Sequence, residues 1–449
     1  MTGLATIRFR ITLAIAAIAL LAIVAWPVYI ASRVGAVRAE DAAAAAGVAP
    51  LRDDQLRNDT IAFWEGAYRE RHRNDFLSPR QLAGQYLQRY RETGDIDDVR
   101  RAERMARASL KIQPRNIAAL ADLVAIDLTL HRFRAALRGI GAVLAYDPQS
   151  AVFLAQKASL LMELGEYRSA RATIERITAS DRDQAAALTV RARYAELTGR
   201  LGFARRLLAD ATVKSDADDT TSAQGRAWYH FRAGELAFEA GDNAAAIDDE
   251  RTALGIFPTY NLALKDLAKF ELAEHRYADA VASATRGALV TPFPETLGYE
   301  ADAQAALGDV RNAARTRDAI FAIERIGNAY GVNDRLLAIY YADHHLRARD
   351  TLAIARREVR VRGDEIYAQD TLAWAAAMAG RWSEARAAMQ RAMRFGTQDP
   401  MLAYHAGVIA QGCGDREGAR RSFARALATN PHFHATFADD ARARLSALR

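Results

Sequence analysis

Apolar positions run at helical spacing twice within residues 115–148, with one break between. Leu120, Leu123, Val124 and Leu128 mark a first stripe; Ala135, Ala136, Ile140, Val143 and Leu144 mark a second. Both follow the spacing of an amphipathic helix. The polar break falls at 130–133, and Asp147-Pro148 closes the unit, because the residue before a proline is pushed out of the helical region. The pattern predicts a helical hairpin. Neither helix can bury its stripe alone, and the pair still leaves an apolar flank for a neighbour to cover. Ala136 is small where two helices would cross, which permits axes at the close end of about 8–10 Å.

The same punctuation recurs along the chain. Gly165, Gly199, Gly241, His275, Gly308, Gly380 and Gly414 each stand in a short turn. Each is followed by an alanine, at 170, 204, 246, 280, 313, 385 and 419. Pro114, Pro148, Pro258, Pro292 and Pro431 keep one closing phase, and most neighbouring units are thirty-three or thirty-four residues apart. In period, turn, alanine and closing proline, residues 79–449 resemble the tetratricopeptide-repeat family, although most copies lack the family's aromatic at the start of the unit. The resemblance implies an all-α, right-handed α-solenoid of about ten helical hairpins, whose first helices line a concave groove.

The ends and irregularities set the remaining boundaries. Residues 1–10 form a short tail. Residues 11–31 carry no charge and are long enough, at 1.5 Å per residue, for a bilayer core of about 30 Å. They predict one N-terminal transmembrane helix, with a cleaved signal peptide as the rival reading. Arg8 and Arg10 precede it, and the short arginine-bearing N-terminus favours repeats on the extracytoplasmic side of a bacterial inner membrane. Residues 32–52 read as a spacer and 53–78 as a capping helix with its connection, in which Leu56, Ile61, Phe63, Trp64 and Tyr68 form the apolar side. Ser78, Pro79 and Gln81 suggest a capped helix start. The solenoid itself spans 79–431. It is interrupted by a surface loop at 210–223, where the spacing lengthens by eight residues, and by an irregular unit at 331–364 without a turn glycine. Residues 432–449 predict a polar-faced terminal helix.

Composition narrows the chemistry. The net charge of +6 comes almost wholly from arginine, interspersed with acids along the helices. It lacks the basic stripe with stacking aromatics that nucleic-acid binding requires, so no nucleic-acid partner is expected. One cysteine, Cys413, excludes an intrachain disulfide framework. Asp216, Asp218 and Asp219 lack the glycine and terminal glutamate of a calcium loop. His344-His345 and His432/His434 are poorly spaced as metal ligands. No phosphate-binding glycine loop, zinc motif or nucleophile elbow is present. Neither enzyme activity, cofactor nor metal is expected.

Registering the units on their turns places Trp228, Phe231, Glu235, Lys265, Lys269, Glu295, Asp302, Tyr367, Asp370, Trp374 and Tyr404 on the groove. Lys265 and Lys269 are one helical turn apart, and the chain has only five lysines. They could grip a partner's carboxylate or be neutralised by Glu235 or Asp302. The aromatics could anchor an apolar side chain or pack between repeats. The expected function is a membrane-anchored scaffold that holds a segment of a protein or peptide partner in its groove. The alternative is a small-molecule or metal receptor serving a transporter.

Overall fold

The computed structural model describes residues 52–70, 74–327 and 334–448. The candidate membrane span at 11–31 lies outside the described residues, and no described helix is long and apolar enough to cross a membrane. The chain divides into a unit ending at Phe63 and a unit from Trp64 to Arg449. Helix α1, Arg52–Glu70, runs across that division and leaves Leu56, Phe63 and Tyr68 exposed.

The second unit is an array of helical hairpins. It begins with α2 and α3 (Leu77–Thr93, Ile96–Ile112), α4 and α5 (Ile117–Thr129, Phe133–Leu144), and α6 and α7 (Ala151–Glu163, Tyr167–Glu175). Next come α8 and α9 (Ala185–Leu197, Leu201–Asp216), α10 and α11 (Ala223–Glu239, Asn243–Ile256), and α12 and α13 (Asn261–Ala273, Tyr277–Val290). The array continues with α14 and α15 (Pro294–Ala306, Val310–Gly327), α16 and α17 (Asp334–Asp343, Ala348–Arg362), and α18 and α19 (Ile366–Met378, Trp382–Ala392). It ends with α20 and α21 (Pro400–Gly412, Arg416–Thr429) and a last helix, α22 (Phe437–Ala447). Each hairpin is too thin to enclose a core, so burial runs continuously from one to the next. The alanines at 136, 170, 204, 246, 280, 313, 385 and 419 are all essentially inaccessible, which is what close helix crossing demands. In the hairpin of 115–148 the buried side of the first helix runs through Ala119, Val124 and Ile126. Leu120, Leu123 and Leu128 are only half-buried there.

Three details differ from the pattern reading. The eight extra residues near 210–223 mostly lengthen α9, which stays helical to Asp216; only 217–222 form a turn. Two of its acids are occupied: Asp216 meets His230 at 3.1 Å, and Asp218 accepts from the Thr220 amide and the Thr220 and Thr221 hydroxyls. Helix α2 starts at Leu77 rather than after Ser78, because the Asp75 carboxylate accepts the Leu77 and Ser78 amides at 3.0 Å. The unit at 331–364 contains an ordinary hairpin whose turn is one residue longer. His345 and Arg347 take left-handed backbone angles (φ 55° and 45°) where other turns use glycine. Thr351, fully buried, takes the alanine's place and donates to the Leu346 and Arg347 carbonyls. Histidine also fills the left-handed position at 131 and 275 (φ 53° and 57°).

The array closes on itself. Turn glycines of early hairpins pack against linkers roughly 200 residues on, about six hairpins further along. At Gly165 an added Cβ would strike the Asp364 backbone; at Gly199 it would lie 2.5 Å from the Gly396 carbonyl, and at Gly241 2.7 Å from that of Thr429. Polar side chains lock this seam. Tyr167 Oη accepts the Ile366 amide at 3.1 Å, Thr397 donates to the Leu197 carbonyl at 2.7 Å, and Asn430 donates to the Phe238 carbonyl at 2.7 Å. Arg362 is buried between Glu163 and Glu358, with its guanidinium 4.4 Å from the Phe133 ring. The second unit therefore winds one turn of the superhelix directly onto the next.

Candidate interior binding site

Winding the array this tightly converts the groove into a narrow, charged interior. Helix α8 contributes Arg193 and Glu196, and α10 contributes Arg232, Glu235 and Glu239. Glu196 is buried and accepts from both Arg193 and Arg232, the latter at 2.8 Å; Arg232 also bonds Glu235. On the facing side, the Tyr367 ring at the start of α18 lies 5.6 Å from the Arg193 guanidinium. Glu239 and Asp399 both act electrostatically on Tyr367, whose hydroxyl is held well above its ordinary value, chiefly by burial. Side chains from two turns of the superhelix thus meet across the interior.

The lysine pair lies in the same space. Lys265 pairs with its neighbour Asp266 at 2.9 Å, rather than with Glu235 or Asp302. Burial opposes the lysine's charge, but Asp266, Glu295 and Glu235 hold its pKa well above the ordinary value. Glu235 is held below the usual carboxylate range because Arg232, Lys265 and Lys269 outweigh its burial. Lys269 stands over the Phe238 ring at 5.0 Å and makes no ion pair among the described residues.

Further along, acids and histidines gather. Asp302 bonds His344 Nε2 at 2.9 Å, and Asp370 bonds His405 Nδ1 at 2.9 Å. In both histidines burial disfavours the charge, yet the aspartate partner raises the pKa. Trp374 Nε1 donates to Asp343 at 2.8 Å, and burial pushes the Asp343 carboxyl up to about 6. His434 Nδ1 accepts the Thr436 amide at 3.1 Å, and burial pushes its pKa down to about 4. No group of three such residues is placed to hold a metal ion among the described residues.

Taken together, the nine carboxylates Glu196, Glu235, Glu239, Asp266, Glu295, Asp302, Asp343, Asp370 and Asp399 outnumber the five permanent cations Arg193, Arg232, Lys265, Lys269 and Arg317, the last 4.0 Å from Asp302. Burial holds Glu239, Asp266 and Asp399 above their ordinary pKa values, with neighbouring carboxylates adding to the rise. A cationic group entering here would favour the charged form of these carboxyls, and would stand in a low dielectric where each contact is stronger than in water.

The residues singled out in the sequence divide by type. Glu235, Lys265, Lys269, Glu295, Asp302, Tyr367 and Asp370 fall within this electrostatic network. The aromatics do not line it as free anchors. Phe231 is buried edge-on to Tyr260 at 5.9 Å. Trp374 is buried and stacks on His405 at 4.2 Å. Tyr404 is buried, stacks on Phe437 at 4.8 Å and donates to Asp440 at 2.7 Å. Trp228 meets Tyr229 edge-on at 5.0 Å. Phe231, Trp374 and Tyr404 fill gaps between helices, while Trp228 is half-buried against its own helix neighbour. Arg193, Glu196, Arg232, Glu239, Asp343, Asp399 and His405 had no place in the sequence reading. For Arg193 with Glu196, and Arg232 with Glu235, a signal was present: opposite charges three residues apart inside a first helix.

Residues 131–194 match the tetratricopeptide-repeat family. No curated protein sequence matches the chain. Among solved structures, a human IFIT1 dimer with PPP-AAAA is similar at 13% identity and a TM-score of 0.47, covering 76% of this chain and 78% of that one. The Cut9–Hcn1 hetero-tetramer of the APC/C is similar at 14% identity and a TM-score of 0.46, covering 88% and 68%. The C-terminal part of a repeat protein from Cytophaga hutchinsonii gives 14% identity and a TM-score of 0.34, covering 63% and 98%.

Proposed function

The chain carries tetratricopeptide repeats, and from the interior they enclose we propose that it is a protein–protein interaction scaffold whose ligand is a basic, extended segment of a partner protein. The observation that carries this reading is the excess of carboxylates over cations in the interior. Lys265, already neutralised by Asp266, does not supply the carboxylate grip considered from sequence. A lysine or arginine side chain would take the place of missing countercharge beside Glu239, Asp343 and Glu295. Side chains from both turns approach one another across the interior, as Arg193 and Tyr367 do at 5.6 Å, which favours an extended segment over a folded domain. On this reading the apolar stretch 11–31 holds the scaffold at a membrane, with the repeats on its extracytoplasmic face.

The direct test is binding of fluorescent peptides to the full chain by polarisation. An arginine- and lysine-rich peptide should bind, and its glutamate counterpart should not. The isosteric Glu239→Gln/Glu295→Gln, which removes two carboxyls, should weaken the basic peptide roughly tenfold, the loss of about 1.4 kcal/mol. Equal binding of both peptides, or no effect of the double substitution, would overturn the interior as the binding surface. A reporter at the C-terminus, read on each side of the membrane, tests the placement; a cytoplasmic signal would refute it.

A further inference from the structure

A second cavity lies apart from the interior and has the opposite charge. It measures about 880 Å³ and is lined by Arg168, Arg171, Arg191, Arg200 and Arg394, with Glu175 as its one carboxylate. None of the interior carboxylates borders it. Elsewhere on the chain arginines stand beside acids a helical turn away, as Arg107 does with Glu103 at 2.7 Å and Arg276 with Asp279 at 2.7 Å. In this cavity only Arg171 does so, with Glu175 at 2.8 Å. Arg191 donates to the Arg182 carbonyl at 3.1 Å, and Arg394 donates to the Asp364 carbonyl at 2.5 Å. Among the described residues Arg168, Arg191, Arg200 and Arg394 have no carboxylate at ion-pair distance. Like charges gathered in one concave site raise the local potential and concentrate anions.

The walls are aromatic as well as cationic. Tyr194, Phe203 and Phe395 line the cavity, and the Arg200 guanidinium lies 5.6 Å from the Phe203 ring and that of Arg394 4.6 Å from Phe395. Guanidinium forks match phosphate oxygens, and the ring faces offer stacking to a planar group. The volume lies within the roughly 300–1,000 Å³ of small-molecule sites. We propose that this cavity binds a nucleoside di- or triphosphate, its phosphates among the arginines and its base against the rings. Arg394 and Phe395 come from the short turn after α19, whereas the other walls belong to α7, α8 and the start of α9. The ligand therefore bridges two turns of the superhelix and tightens the seam, so binding raises the resistance of that seam to opening.

The test is calorimetric titration of the full chain with ATP, pyrophosphate and adenosine. The cavity variant is Arg168→Gln/Arg191→Gln. The control is Arg100→Gln/Arg107→Gln, which removes the same charge from α3. ATP is expected to bind at micromolar concentration, at least tenfold more weakly in the cavity variant, and unchanged in the control. Hydrogen exchange in 393–398 should slow when ATP is bound. Equal loss in both variants would reduce the effect to net charge and overturn the site. Failure of ATP to bind at millimolar concentration would overturn it too, as would pyrophosphate binding as tightly as ATP, which leaves the rings no role. The titrations contain no peptide, so their failure and the failure of the peptide assay are read separately.

Discussion

Glu250 sits in α11 with no exposed surface, and neither carboxyl oxygen has a hydrogen-bond partner. Room for it exists because residue 234 on α10 is a glycine; an added Cβ there would lie 2.6 Å from Glu250 Oε1. Burial, with Asp266 and Glu235 adding to it, holds the carboxyl well above its ordinary value of 4.5, and Lys265 opposes. The sign follows from linkage. The folded state binds this proton more tightly than the unfolded state does. Its contribution is therefore fully present below pH 4.5 and is lost as pH rises toward the folded pKa, at about 1.4 kcal/mol per pH unit. Even the protonated group, unpaired, costs about 1–3 kcal/mol. Glu250→Met keeps the volume and removes both costs. It should stabilise the array by about 1–3 kcal/mol at pH 4.5, and by a further 1 kcal/mol or more at pH 6. A repeat array need not unfold in one step, so the assay is hydrogen exchange of the α10–α12 amides at both pH values, beside urea unfolding. A gain identical at the two pH values, or a loss at both, would show that Glu250 is satisfied and would refute the reasoning.

Three further substitutions probe separate parts of the argument. Gly199→Ala and Gly380→Ala both place a side chain at positive φ (74° and 69°), but only the first meets a neighbour, the Gly396 carbonyl; both should lose about 1–2 kcal/mol for the backbone. Urea unfolding should show the first losing distinctly more, and equal losses would remove the seam as a close contact. His434, whose pKa falls from 6.5 to about 4, contributes stability above pH 6.5 that is lost as pH drops toward 4. Its share is about 2 kcal/mol at pH 5. His434→Asn, which can still accept the Thr436 amide, should narrow the gap between pH 8 and pH 5 unfolding midpoints, and an unchanged gap would assign the acid sensitivity elsewhere. Arg362→Ala should cost about 3–5 kcal/mol, because it strands Glu358 and Glu163. Hydrogen exchange should quicken in residues 151–175 as well as in 348–378, and quickening confined to the latter would count against coupling across the seam.

The repeat was legible because its causes are local. A turn residue in the left-handed region, an alanine five residues on and a closing proline recur at short range. The hairpin at 334–362 escaped that rule only because its longer turn moved the small buried residue to Thr351. The seam was not legible. Gly165, Gly199 and Gly241 already suit the left-handed turn, which histidine fills at 131 and 275, and nothing near them in sequence records that a linker some 200 residues away also occupies the missing Cβ space. The interior was legible in part. Turn registration put Glu235, Lys265, Glu295 and Asp370 on one face, and the structure places them in one electrostatic network, since a charge in an apolar first helix has few other places to go. For Trp374 and Tyr404 register left anchoring and packing open, because an aromatic there satisfies either, and the structure has both packed against neighbours.

Closure also changes how the array holds together. In an open solenoid each repeat touches only its neighbours, and stability is close to a sum of local terms. Here Tyr167, Leu197 and Phe238 are tied to Ile366, Thr397 and Asn430 by hydrogen bonds across 192 to 200 residues. Closing so long a loop has an entropic cost that grows only slowly with its length, and once one such contact forms the next follows with little further loss. The ties therefore act as a set. The charged interior exists only while the set holds, because Arg193 and Tyr367 belong to different turns. A ligand that favours the closed seam raises the population that can hold a partner segment, and a partner segment inside favours the seam in return. The basic cavity at Arg394 and the charged interior at Tyr367 thus border one element, the contact between two turns of the same superhelix, and if both proposals hold they are coupled through it.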